Sequence, residues 1–337
     1  MRDPRTGSLP PTIRELLRWA GGLADPPASD RLVAKELKRH GLLGLVGSLP
    51  DQHRVPGDVL AAATTMQQIS VAIEARAIWV MSLLADAGVE TRVLKGLATA
   101  SLDYPERERR TFNDVDLLVR PDSLGIAAAV LAEAGLEREI AEPFNGFDRR
   151  FSKGVTMAFP DGLEVDLHRT FVLGAIGLRI PLEELWADSA VFELGGREVR
   201  ALAASHRFMN TAIHSAMSPL FRGNELLDLR VIAMANQLAP ADLLDVAGRW
   251  RVLTPMAVAV RIAAGNLGDD WLGAELSSWA RSYRPSRLDR WLVDAHIGPR
   301  ASTAKRTIGA LTAMKSRDRA AYVTGYVVRL TPKRNRP

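Results

Sequence analysis

The sequence predicts an α+β fold: a small mixed β-sheet core flanked by N-terminal helices and followed by a C-terminal helical bundle. Three observations lead there. Apolar residues recur near the helical period up to about residue 88. Strand-like alternation and turn signals take over from 89 to 200, and the helical pattern returns from Ala201. The corresponding regions are 1–88, 89–200 and 201–337, the last ending in a short basic tail. At 337 residues the chain is long enough to bury a large core in two or three units.

The elements follow in order. Thr12 to Trp19 reads as a first helix, and a long helix runs from Pro56 at its start to Gly88 at a C-cap. Leu60, Ile69, Ile73, Ala77, Val80 and Leu84 form its apolar stripe. Val89 to Leu94 is a strand that leads into Lys95-Gly96 and a short helix through Leu97 to Ser101. Val115 to Val119 is a β-branched, apolar strand. Pro121 and Asp122 open a helix over Ser123–Ala134, closed by Gly135. Extended stretches at Arg150–Phe159 and Gly162–Phe171 flank the turn Pro160-Asp161-Gly162, and a second hairpin spans Val191–Val199. Beyond Ala201, turns near Pro219, Pro240, Pro255, Gly265–Asp270, Pro285 and Pro299 divide the chain into several short helices.

Composition narrows the classes. With 47% hydrophobic and 25% charged residues the chain is of ordinary soluble type. No apolar run approaches the roughly 20 residues of a membrane span. The N-terminus lacks the apolar centre of a secretion signal, so a cytoplasmic location without membrane association is expected. Cysteine is absent, which excludes disulfides, thiolate catalysis and cysteine-ligated zinc. The net charge of +5, mostly arginine, reads as scattered solvated charge; the one dense basic cluster is the tail Arg329–Arg336, expected to fray. Phosphate-loop, dinucleotide-fingerprint and serine-elbow motifs are all missing, which leaves kinase, dehydrogenase and serine-hydrolase readings without support.

The chemistry centres on Asp114 and Asp116. Side chains two apart on a strand share a face, and two adjacent carboxylates repel unless a cation lies between them. Mg²⁺ suits such a pair, because it takes one or two carboxylates and fills its other positions with water and substrate phosphates. In Leu163–His168, Glu164, Asp166 and His168 share one face while Val165 and Leu167 take the other. Either the mouth of a site or a solvated edge strand explains that alternation. Lys95 offers a point charge to a phosphate, and Gly96 permits close backbone approach at a helix N-terminus; a strand-end lysine beside a plain turn explains them equally. Arg110, in the charged stretch Glu106–Arg110, suits phosphate neutralisation, carboxylate pairing or a solvated loop. Tyr104 reads as a packing residue. His206, Asn210 and His214, spaced four apart, stack on one helix face as a ligand-facing wall or ordinary polarity. Asp228 points toward an apolar face and needs a partner: Arg222, Arg230, or a ribose or base edge.

Taken together, Leu94-Lys95-Gly96, Tyr104, Arg110, Asp114-Val-Asp116-Leu-Leu-Val119 and Val165-Asp166-Leu167-His168 resemble a bacterial family known as nucleotidyltransferase family 5, within the DNA polymerase β-like nucleotidyltransferase superfamily. His214 and Leu226–Arg230 resemble that family's later helical motif. The likeness spans about residues 60–235. It implies catalytic and metal-ligating roles for Asp114, Asp116 and Asp166, with Asp166 taking the acceptor proton. It also implies nucleotide contacts from Lys95, Gly96, Arg110, His214 and Asp228. The cofactor implied is Mg²⁺, or Mn²⁺ in its place, with a nucleoside triphosphate as co-substrate. A nucleoside monophosphate would pass to an acceptor hydroxyl or similar group, with pyrophosphate released. A small molecule or peptide product is the first acceptor expected, since similar chains occur in peptide natural-product pathways; a protein side chain or RNA end comes second. Most of the superfamily carries Gly-Ser where this chain has Lys95-Gly96. That departure keeps open a nucleotide-binding regulator without turnover, and the positive charge keeps open a nucleic-acid-binding protein.

Overall fold

The computed structural model describes residues 8–218, 222–297 and 302–330. The basic tail beyond Leu330 and the turns at Pro219 and Pro299 lie outside the described residues. Seven strands form one mixed sheet: β1 Thr91–Val93, β2 Val115–Val119, β3 Glu137–Arg138, β4 Gly154–Ala158, β5 Glu164–His168, β6 Ser189–Leu194 and β7 Arg197–Leu202, in the spatial order β3-β4-β5-β2-β1-β7-β6. The α+β architecture is as expected. Both hairpins form where the turn residues place them: β4 with β5 around Pro160-Asp161-Gly162, and β6 with β7 around Gly195-Gly196, where both glycines take positive φ. Two features escaped the sequence: the two-residue strand β3, and the parallel pairing of β1 with β7 that joins the second hairpin to the core. Neither leaves a local pattern.

Local chemistry explains the flanking helices. The long helix Gly57–Asp86 starts at Pro56 and ends before Gly88, whose φ of 72° ends it in the left-handed region. Ile73, Ala77, Val80 and Leu84 bury against the sheet together with Val93, Leu117 and Val165. The N-terminal part of the expected stripe is shifted. Val59 and Ala63 are buried there, while Leu60 and Ile69 are part-exposed and Ile69 faces a cleft. By length and composition this helix could cross a membrane, at a mean hydropathy of 1.4. Here it packs one face on the sheet and carries the ion pairs Glu74–Arg107 and Arg76–Asp161.

The N-terminal helices do not form a core of their own. Leu16, Leu17, Leu37 and Leu45 share one hydrophobic cluster with Phe208, Leu226, Trp250 and Trp271 of the C-terminal helices. A pair of buried charges, Arg207 with Asp103 at 2.6 Å, ties the helix Ala204–Met217 to the end of the helix Lys95–Leu102. The C-terminal helices are thereby fixed to the helix that follows β1, and a cleft remains between them and the tips of β1 and β2.

His40, His206 and His296 are all buried, and burial pushes each imidazole below its ordinary range, against which the acids Glu184 and Asp188 pull at His206. A base whose folded pKa is depressed favours folding while neutral, so that contribution is lost as pH falls through the unfolded value of about 6.5. Asp114, raised by its surroundings, acts in the opposite sense. In an Asp114→Asn variant, then, the denaturant midpoint should fall between pH 7.5 and 5.5; a flat profile would mean that these imidazoles protonate without cost.

Candidate functional site

Backbone register builds the floor of the cleft. β1 and β2 run antiparallel with Val93 opposite Leu117, and the Leu94 N–H donates to the Asp116 carbonyl at 2.9 Å. Lys95 therefore follows directly beside Asp116. β2 and β5 run parallel with Asp116 opposite Asp166 and Leu118 opposite His168. Asp116, Asp166 and His168 accordingly emerge on one face, as the alternation on each strand requires. Among the described residues these three form a compact group whose ligand atoms lie within 4.8 Å of one another.

Asp116 is the most connected of them. Lys95 Nζ stands 3.2 Å from both its carboxylate oxygens, and His168 Nε2 lies 2.5 Å from Oδ1. Burial opposes a charge on Asp116, but Lys95 and His168 more than offset it and hold the carboxyl far below the usual range. Burial likewise opposes the Lys95 ammonium, and Asp116, Asp114 and Asp166 together raise it. His168 is fully buried, and burial, reinforced by Lys153, depresses its pKa. Its Nε2 faces the Asp116 carboxylate, which can only accept, and so donates to it, while Nδ1 lies 3.3 Å from the Thr170 carbonyl. Asp166 is more accessible. Thr156, its cross-strand partner on β4, donates to it at 2.5 Å, and Lys153 Nζ lies 3.6 Å away.

Asp114 precedes β2 and lines the same cleft. Burial, then the charges of Asp116 and Asp166, raise its pKa to about 6 against the pull of Lys95 and Arg110. The acids therefore carry more negative charge than the protein neutralises, which is the condition a bound cation relieves. Hard divalent ions prefer oxygen ligands. Asp116, Asp166 and His168 are the group whose ligand atoms converge closely enough to hold a metal ion, and Asp114 lines the same cleft outside that group.

Lys95 itself is in an unusual conformation, with φ at 38°, one of three non-glycine residues with positive φ among the described residues. Such strain in a bulky residue costs on the order of 1–2 kcal/mol and is retained where it serves placement. Gly96 is required sterically: a Cβ there would lie 2.7 Å from Phe112 Cβ. Gly96→Ala should cost about 1–3 kcal/mol by overpacking. Gly125→Ala, at a helical site with open space, should be neutral or stabilising. Chemical denaturation of the two variants checks this, and equal midpoints would remove the steric account of Gly96.

The cleft is about 700 Å³ in volume. Lys95, Gly96, Arg110, Asp114, Asp116, His214 and Asp228 all line it, so seven of the eight residues expected at the site share one cavity, while Asp166 lines a recess of about 170 Å³ next to it. Two of the seven are engaged otherwise than as nucleotide contacts. Arg110 and Asp228 form a buried bidentate pair, Nε to Oδ1 at 2.8 Å and an Nη to Oδ2 at 2.9 Å, and Tyr104 donates to Asp228 at 2.8 Å. Burial disfavours the Arg110 charge, but Asp228 overrides it and raises the guanidinium pKa. Neither Arg222 nor Arg230 is the partner of Asp228; Arg230 donates to the carbonyls of Gly21 and Trp271.

His206, Asn210 and His214 do not form one wall. Eight residues at 100° each leave a net rotation of about 80°. His206 packs on Trp250 with ring centroids 4.9 Å apart, whereas His214 lies at the cleft with Nδ1 2.8 Å from Glu225. The sequence pattern sets His168 on the face of Asp166, at the mouth of a site or on a solvated edge strand, without assigning it a role. Sequence reading missed Lys38, Arg39, Arg222, Asn224 and Glu225 in the cleft wall. Those positions depend on long-range packing and carry no local signal.

A mixed sheet presenting in-register aspartates and a lysine beneath a helical wall is the architecture of a nucleotidyltransferase. The sequence profile of a family described as uncharacterised nucleotidyltransferase matches residues 26–268, and this chain belongs to that family. No curated protein matches it. Among solved structures, the crystal structure of ANT(2")-Ia in complex with adenylyl-2"-tobramycin is similar at 14% identity over 55% of this chain and 97% of that one, with a TM-score of 0.36. An antigenic nucleotidyltransferase-like protein from Paracoccidioides brasiliensis is similar at 14% identity over 59% and 93%, with a TM-score of 0.32. Likeness at this level carries no information on substrate.

Proposed function

We propose that the cleft transfers a nucleoside monophosphate from a nucleoside triphosphate to an acceptor hydroxyl. The acceptor oxygen forms a bond to the α-phosphorus, the α–β bridging bond breaks, pyrophosphate leaves, and the acceptor proton passes to Asp166. The observation that carries this reading is the register of Asp116 with Asp166 on parallel strands, with the Lys95 ammonium 3.2 Å from Asp116. When bound, Mg²⁺ or Mn²⁺ would be held by Asp114, Asp116 and Asp166 and would supply charge neutralisation at the phosphate oxygens. Lys95 and the N-terminus of its helix stabilise negative charge on the phosphates, with Gly96 allowing close approach. His168 holds Asp116 in one orientation. Arg110 and Asp228 fix the helical wall against the core, and His214 stands at the nucleotide side of the cleft.

A small-molecule or peptide-product acceptor is favoured by the recess beside Asp166. At about 170 Å³, lined by Lys153, Thr156, Asp166 and His168, it matches a small group rather than a nucleic-acid strand. In this reading residues 89–200 supply the acids, and residues 1–88 and 201–337 close the cleft, in a protein working in the cytoplasm, where triphosphates are abundant. One observation favours the alternative of a nucleotide-binding regulator: the Lys95 ammonium already neutralises Asp116, where a cation would bind. Incubation with each labelled triphosphate, Mg²⁺ and candidate acceptors separates the two. Release of pyrophosphate by the wild type alone, and not by Asp114→Asn/Asp116→Asn, supports transfer. Metal-dependent triphosphate binding with no release under any condition supports the regulator.

A further inference from the structure

We propose that Lys38, Arg39 and Arg222 form an anion subsite at the rim of the cleft, which takes the terminal phosphates of the donor nucleotide. The inference rests on the reading of the cleft as a triphosphate site and adds the residues that hold the tail. Two separate elements create it. The helix Ala34–His40 ends where the helix Gly223–Ala235 begins. A Cβ on Gly41 would lie 2.4 Å from the Asn224 amide nitrogen, and one on Gly223 would lie 3.3 Å from His40 Cβ. Only at such close approach do Lys38 and Arg39 face the same opening as Arg222.

Charge in this cavity is sorted. The acids Asp114 and Asp116 lie at its floor, while Lys38, Arg39 and Arg222 are exposed at its rim, and none of the three has an acidic partner among the described residues. The acid near the rim, Glu225, has Oε1 engaged by His214 and Oε2 without a hydrogen-bond partner among the described residues. Of the other cations of the cavity, Lys95 is paired with Asp116 at the floor, and Arg110 is committed to Asp228 and the Thr111 carbonyl. A metal-bound polyphosphate chain has the complementary polarity: cation at the acidic floor, surplus negative charge toward the basic rim.

Two further features point to a ligand here. Asn224 is 7% exposed, lines the cavity, and its buried Oδ1 has no hydrogen-bond partner among the described residues. Arg222 is the N-cap of a thirteen-residue helix with no side-chain cap, so the first backbone N–H groups remain available for an acceptor.

Binding of inorganic tripolyphosphate, measured calorimetrically in EDTA, tests this. Wild type should bind it with an affinity that falls as salt rises. K38A/R39A/R222A should lose at least about tenfold, the scale of one or two charge-assisted contacts, with an unchanged unfolding midpoint because all three side chains are exposed. R39K/R222K should retain most of the affinity. Unchanged tripolyphosphate binding in the triple variant overturns the subsite. So does unchanged tripolyphosphate binding accompanied by lost affinity for an RNA oligomer, which would make the rim an acceptor surface. Should rim-dependent binding appear while no triphosphate ever yields pyrophosphate, the subsite stands and the transferase reading fails. Pyrophosphate release by a wild type whose tripolyphosphate binding ignores the rim removes the subsite and leaves the transferase reading intact.

Discussion

Asp116→Asn should lower pyrophosphate release by at least about 10²-fold, the scale of losing one electrostatic stabiliser at a reacting centre. Three arrangements converge on this side chain: the Lys95 ammonium, the His168 donor and the in-register Asp166. Asparagine keeps the volume and the oxygen that accepts from His168; it turns one of the two Lys95 contacts into an N–H facing the ammonium, a charge that Asp114 and Asp166 still oppose. Stability should therefore move much less than turnover, and the affinity for Mn²⁺, followed by its electron spin resonance, should fall together with rate. Asp114→Asn should show the same pairing of effects. It should also leave Asp116 without the nearby charge that makes the pair repel. If Asp116→Asn turns over like wild type, the carboxylate group on β2 and β5 is a structural ion cluster, and the enzymatic reading is lost with it.

What the sequence disclosed, and what it hid, divides along the range of the interactions involved. The strand Val115–Val119, the Glu164–His168 alternation and both hairpin turns are local patterns that appear in the structure where the residues place them, although Asp114 falls just before its strand rather than on it. The pairing of Asp116 with Asp166 could be anticipated only by resemblance, since register between strands fifty residues apart leaves no trace in either one. Arg110 shows the limit most clearly. Four residues before Asp114 in a run of charges, it suits a phosphate ligand, a carboxylate partner or a solvated loop. Packing 118 residues away decides for the carboxylate of Asp228. Lys38 and Arg39 were invisible for the same reason: a short basic helix acquires meaning only once Gly41 lets it meet Asn224.

Asp228→Ala should destabilise the protein by about 3–5 kcal/mol, since it strands a buried guanidinium without its counter-charge. Side chains at both ends of the pair are nearly sealed from solvent, with exposures of 10% for Arg110 and 5% for Asp228. Tyr104→Phe should cost only about 1 kcal/mol, because it removes one neutral donor from an ion pair that persists. Arg110→Met/Asp228→Leu, which replaces both charges with apolar volume, should recover most of the loss. Urea denaturation of the four proteins reads all of this. The pair joins the segment leading into β2 to the helix Gly223–Ala235, so the apolar double variant should keep the fold while loosening the register of wall against floor. Its triphosphate affinity should then fall although its stability does not. Were Asp228→Ala instead to lose triphosphate binding with an unchanged urea midpoint, Asp228 would be a nucleotide contact, and the pairing with Arg110 only its resting arrangement.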